Sequence, residues 1–153
     1  MRLSLTTLFF LAAGTAAHAD ALFDRYFAAQ QAYERHVNAF YIARVPALEG
    51  KVPTFTEDPR AQEIMGCTFD YIRDTTGEEG ALGLITWLED AARTEIKSLT
   101  DLGTGPEGPA GDAMLGAIDA CNTVEITQEI MAETGFMEVF SQPGVMDALM
   151  ASE

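Results

Sequence analysis

The stretch from Asp20 to Ala43, DALFDRYFAAQQAYERHVNAFYIA, decides the fold class. Phe23, Tyr26, Phe27, Tyr33, Val37, Phe40 and Tyr41 recur at steps of three and four residues, with Arg25, Gln30, Glu34 and Arg35 falling mostly between them. A period of about 3.6 residues gathers those aromatic and apolar side chains on one side, which predicts an amphipathic helix.

The same period continues downstream. Val45-Pro46 opens a connection that runs through Gly50 and Pro53 to Pro59. Proline suits the first turn of a helix, so Asp58 is the expected cap and Pro59 the first residue of helix two. Ile64, Cys67, Thr68 and Tyr71 lie on one side of it with Met65, Phe69 and Ile72 beside them, and it is expected to stop near Thr76-Gly77. A third helix is expected from Glu78 to Leu99, with Leu82, Ile85, Leu88, Ala92, Ile96 and Leu99 along one face. Glu89, Arg93 and Lys97 ladder another face at four-residue spacing. The glycine- and proline-rich TDLGTGPEGPAG of 100–111 reads as a loop. Helix four, Pro109 to Asn122, aligns Met114, Ile118 and Cys121, and Asn122 or Thr123 ahead of Glu125 has the form of a cap for helix five, which ends before Gly135. A short Phe136–Phe140 turn and a last helix over Gly144 to Met150 complete the chain. The expected fold is all-α, a small bundle of about five to six helices.

The first nineteen residues have the form of a secretory signal peptide. Arg2 supplies a positive start, Leu8 to Ala13 is apolar, and Ala17-His18-Ala19 offers small residues for cleavage. The expected organisation is therefore a signal peptide over 1–19 and a single helical domain over 20–153. The apolar run is shorter than the roughly 20 residues that a membrane-spanning helix needs, and no later stretch approaches that length, so no membrane insertion is expected.

The chain holds only two cysteines. An exported chain folds in an oxidising compartment, so Cys67 and Cys121 are expected to form a disulfide clamping helix two to helix four. The formal charge is −15, and no lysine or arginine follows Lys97. Such a surface repels phosphate backbones and anionic lipid, which removes nucleic acid and membrane surfaces from the partner classes. Protein surfaces of opposite charge and cations remain.

Chemistry-bearing patterns are sparse. His36 is the one histidine beyond the signal segment, with no cysteine or second histidine near it, so a triad and a zinc site are both disfavoured. Asp101 to Asp112 has the length of a calcium loop but carries glycine at two ligand positions and Pro106 at the turn. No cofactor fingerprint is present. Glu89, beside Trp87, is the residue to name for a carboxylate-based hydrolase, whose acid needs an apolar pocket. Glu125, Glu129 and Glu133 stand at four-residue steps without a basic residue on their helix, where like charges cost about 0.2–0.5 kcal/mol each. They form a candidate face for a cation or a basic partner. Phe23, Tyr26, Phe27 and Tyr33 form a candidate face for a hydrophobic partner, although large side chains at that spacing more often fill a core. Of the methionines beyond the first residue, Met65, Met114, Met131 and Met137 read as packing, and Met146 and Met150 lie on a short final helix that docks on the body or on another protein.

The favoured expectation is an exported, non-enzymatic binding protein of the periplasm or extracellular space, the periplasm preferred, for a protein or cation partner. One disulfide joining two helices of a small acidic domain resembles the arrangement of periplasmic acid-stress chaperones. An acid-responsive holdase is accordingly the second reading, supported by the loss of net charge near the sequence pI of about 4.3. A carboxylate-based hydrolase is the third.

Overall fold

A computed structural model describes residues 12–103 and 105–151, with side chains described from Ala21 onward. Residues 1–11 of the expected signal segment lie outside the described residues, and the expected cleavage site lies within the first helix. Six α-helices and no strand are found among the described residues: α1 (Ala12–Arg44), α2 (Pro59–Ala91), α3 (Pro109–Ala120), α4 (Thr123–Glu133), α5 (Phe136–Phe140) and α6 (Val145–Met150). Short 3₁₀ turns occupy Pro46–Leu48, Phe55–Glu57 and Leu99–Leu102. The fold is all-α, as the periodicity requires.

α2 starts as expected. The Asp58 carboxylate accepts from the backbone N–H of Arg60 at 2.8 Å, with Pro59 in the first turn. Gly77 then leaves helical geometry at φ 75°, ψ −173°, a conformation open essentially to glycine alone. The break falls where a helix end was expected, but the chain resumes helix at once, so the expected helices two and three are the two limbs of α2. Both limbs feed one core: Met65, Phe69 and Ile72 from the first, Ala81, Leu84, Ile85 and Leu88 from the second. Leu22, Tyr26 and Ala29 of α1 and the small face Ala110, Ala113 and Ala117 of α3 complete it. Alanines let α3 lie close against α2, near enough that a Cβ on Gly116 would meet the Tyr71 hydroxyl at 2.5 Å.

The second limb ends at Ala91, eight residues before the expected Leu99. Apolar spacing continues through Ala92, Ile96 and Leu99, yet local polar groups win. Thr94 donates its hydroxyl and its N–H to the Asp90 carbonyl at 2.9 and 3.0 Å, and the Asp101 carboxylate accepts from the N–H groups of Lys97 and Ser98 at 2.8 and 3.0 Å. Side chains of Thr, Ser and Asp thereby offer the backbone partners that a continuing helix would not. The Glu89–Arg93–Lys97 ladder is cut short because α2 ends before Lys97, leaving Arg93 within electrostatic reach of Glu89. Glu89 accepts both Nε and Nη2 of Arg25 at 2.8 Å across to α1. α1 also satisfies the connecting loop, through His36 Nε2 to the Thr94 carbonyl at 2.8 Å and Arg44 to the Lys97 carbonyl at 2.7 Å.

The Cys67–Cys121 disulfide is present, joining the first limb of α2 to the end of α3 with Cα atoms 5.9 Å apart. Cys121 is buried, whereas Cys67 is exposed on the flank of α2 rather than within its apolar stripe. A second, smaller core gathers Phe40, Val45 and Leu48 with Phe136, Val139, Val145 and Leu149. α6 therefore docks on the body through Val145 and Leu149, and Met146 and Met150 stay on its outer side.

Candidate functional site

The two cores do not merge. Between them lies a cavity of about 480 Å³, within the range that small-molecule pockets occupy. α1 supplies Tyr26, Gln30, Tyr33, Val37 and Tyr41, a single stripe at helical spacing. Met65, Leu84, Trp87 and Leu88 come from α2, Met114 and Ile118 from α3, and the Val52–Thr56 segment closes one side. Thr123, Thr127 and Met131, one turn apart on α4, line the remaining wall.

α4 is held at both ends. Cys121, two residues before it, is bonded to α2. At its other end Arg60 grips the Glu133 carboxylate with Nη1 at 2.9 Å and Nη2 at 2.7 Å, approaches Glu129 at 3.8 Å, and also donates to Asp58. The cation that faces the acidic row is thus a side chain of the same protein, contributed by α2, and it offsets the repulsion expected along the helix. Hydrogen bonds from Arg60 hold Asp58 down at about 2 and lower Glu133 from its ordinary value. Glu125 is exposed and outside this clamp.

The polar groups facing the cavity divide into satisfied and unsatisfied sets. Glu34, the one charged side chain among the described lining residues, accepts from the Phe55 N–H, the Thr56 N–H and the Thr56 hydroxyl, capping the 3₁₀ turn of Phe55–Glu57. Asn38 donates to the Pro53 carbonyl at 3.2 Å. These two pin the connection onto α1. The Thr123 hydroxyl oxygen, in contrast, is buried with no hydrogen-bond partner. Tyr26, 3% exposed overall, also lines the cavity. Burial pushes the Tyr26 phenol well above its usual pKa, so it is a neutral donor over the whole physiological range. Buried polar groups are ordinarily paired, and the unpaired Thr123 hydroxyl on an apolar cavity marks a place for a ligand atom.

A smaller hollow of about 190 Å³ abuts the first and shares Tyr33, Trp87 and Leu102 with it. The exposed acids Asp90, Glu95 and Asp101 also line it. Tyr33 and Trp87 pack with ring centroids 5.5 Å apart at the shared wall.

The aromatic stripe of the sequence splits on this geometry. Tyr26 and Tyr33 line the cavity, while Phe23 packs edge-on against Phe69 at 5.7 Å and Phe27 stacks on Phe23 at 6.3 Å, beside the core. Sequence reasoning missed Gln30, Trp87, Thr123 and Thr127 as cavity residues, and only the four-residue step from Tyr26 to Gln30 could have pointed to one of them. Glu89, named for acid chemistry, is lowered by its hydrogen bonds from Arg25, the reverse of what a general acid needs. Among the described residues no three of His, Cys, Asp and Glu converge to hold a metal, and no helix is long and apolar enough to cross a membrane. Comparison with protein-family models, with curated proteins and with solved structures finds no match to this chain.

Proposed function

We propose that this chain is an exported, non-enzymatic binding protein whose cavity carries a small, largely apolar molecule. The observation that carries the reading is the pairing of a 480 Å³ hollow with a buried, unpartnered hydroxyl on its wall, that of Thr123. Pockets of this size bury most of a small ligand's surface, and a few placed polar groups fix its orientation. That hydroxyl asks for an oxygen or nitrogen atom on an otherwise apolar body. Export is supported by the signal-like first nineteen residues and by a disulfide that persists in an oxidising compartment. The periplasm is the favoured destination.

The chain's one tryptophan, Trp87, lines the cavity, so its fluorescence reports occupancy directly. Protein isolated from its own compartment should begin near Asp20 by intact mass and should bind N-phenyl-1-naphthylamine, a neutral apolar probe, saturably and one to one. Thr127→Phe, which fills the hollow from α4, should abolish that binding. Absence of saturable binding by the native protein, or equal binding by the folded Thr127→Phe variant, overturns the reading.

A further inference from the structure

A ligand sheds its water on entering the larger hollow, so the charges already on the wall decide which ions that hollow can hold. Among the described residues no lysine, arginine or histidine lines it, and Glu34 is its one charged side chain. A carboxylate or phosphate head would meet no counter-charge there, and burying an unpaired ion is strongly disfavoured. The start of α4 offers a partial positive end, but Glu125 already stands in that first turn. A helix end also contributes far less than the desolvation of an anion removes. A cation fares no better. Both oxygens of Glu34 are engaged, one by the Phe55 N–H and the other by the N–H and hydroxyl of Thr56. Those bonds hold the segment that closes one side of the hollow, and an ammonium head would have to displace them and loosen that wall.

One polar atom on the wall still lacks a partner, the buried hydroxyl of Thr123. It belongs to the first residue of α4, where Asn122 is left-handed and gives no side-chain cap. A hydroxyl both donates and accepts, so a single neutral oxygen or nitrogen on the ligand satisfies it. Resting on the ligand-cavity reading above, we infer that the ligand is uncharged and carries a hydrogen-bonding oxygen or nitrogen, of the alcohol, phenol, ketone or amide class, seated on the Thr123 hydroxyl. Fatty-acid anions and amphiphilic cations are the ligands this wall rejects.

The test uses four probes with one naphthalene body, suited to walls that include Tyr33, Phe55 and Trp87. Naphthalene, 2-naphthol, 2-naphthoate and 2-naphthylmethylammonium are titrated at neutral pH as competitors of N-phenyl-1-naphthylamine. 2-Naphthol should bind about fivefold more tightly than naphthalene, the worth of one net hydrogen bond. It should also bind at least about tenfold more tightly than either ion. In Thr123→Val, with folding checked by thermal melt, the advantage of 2-naphthol over naphthalene should vanish, and in Thr123→Ser, which keeps the hydroxyl, it should remain. The charge ranking is read in the unaltered protein and stands or falls without any variant. Either ion matching 2-naphthol, no displacement by 2-naphthol, or an advantage that survives in folded Thr123→Val overturns the inference while leaving the ligand-cavity reading in place. Failure of N-phenyl-1-naphthylamine itself to bind overturns both.

Discussion

Reducing the Cys67–Cys121 bond should destabilise the protein by about 4 kcal/mol, because the bond closes a loop of 54 residues and loop closure restricts the unfolded chain in proportion to the logarithm of loop length. Reduction changes no side-chain volume apart from two added hydrogens, so no new hollow confuses the comparison. Cys67 is exposed on the flank of α2, and reductant therefore has access without prior unfolding. At roughly 3 °C per kcal/mol for a chain of this size, the melting midpoint should fall by about 12 °C. The assay is a pair of thermal melts followed by circular dichroism, oxidised against reduced, with thiol labelling to prove reduction. The reduced protein should also lose affinity for cavity probes, since the end of α3 that anchors α4 is no longer tied to α2. A fully reduced protein whose midpoint drops by less than about 4 °C would refute the reasoning, because it would mean that the unfolded chain gains little freedom from the cut.

Gly77→Ala should destabilise by about 1–3 kcal/mol with no steric contribution, since a Cβ there meets nothing within 4 Å and only the backbone conformation resists; a chemical-denaturation midpoint equal to that of the parent contradicts this. Thr123→Val should raise the stability of the empty protein by about 1 kcal/mol by removing a buried unpartnered hydroxyl, while weakening any ligand that uses it, and a loss of stability in denaturant titration counts against the orphan assignment. Asp58 and Glu133 are both held below their ordinary values of 3.8 and 4.5 by Arg60, so their contribution is complete above those values and is lost as pH falls below them, for Asp58 toward about 2. Melts of Arg60→Met across that window should show a shallower acid dependence than the parent, and parallel curves for the two proteins would remove the clamp from the account.

Much of the fold was legible because it rests on short-range rules. The Asp58-Pro59 start, the Pro109 start of α3, the glycines ahead of α5 and α6 and the break at Gly77 all follow from cap, proline and glycine acting within one turn. The expected cap of α4, in contrast, does not form: Asn122 is left-handed with no side-chain capping bond and the Thr123 hydroxyl has no partner. The overrun of the expected third helix has a local cause as well: apolar spacing through Ile96 and Leu99 competes with the Ser98–Asp101 capping pair, and periodicity alone carries no weight for the side-chain hydrogen bonds that settle the contest. The candidate site was far less legible. Tyr26 and Tyr33 belong to a stripe that reads equally as core or as surface, and the acidic row of α4 reads as unpaired until Arg60, sixty-nine residues before Glu129, is seen to face it.

By itself, the sequence determined the all-α class, the order and most ends of the helices, the acidity and the pairing of two cysteines, because periodicity, capping and cysteine count act along the chain. Only the tertiary structure decided that the apolar side chains divide into two cores, that a hollow remains between them, and that Trp87, Thr123 and Tyr26 meet on its walls. Those are matters of how surfaces from distant segments fail to fill space completely, and no residue carries that information until its partners across the gap are in place.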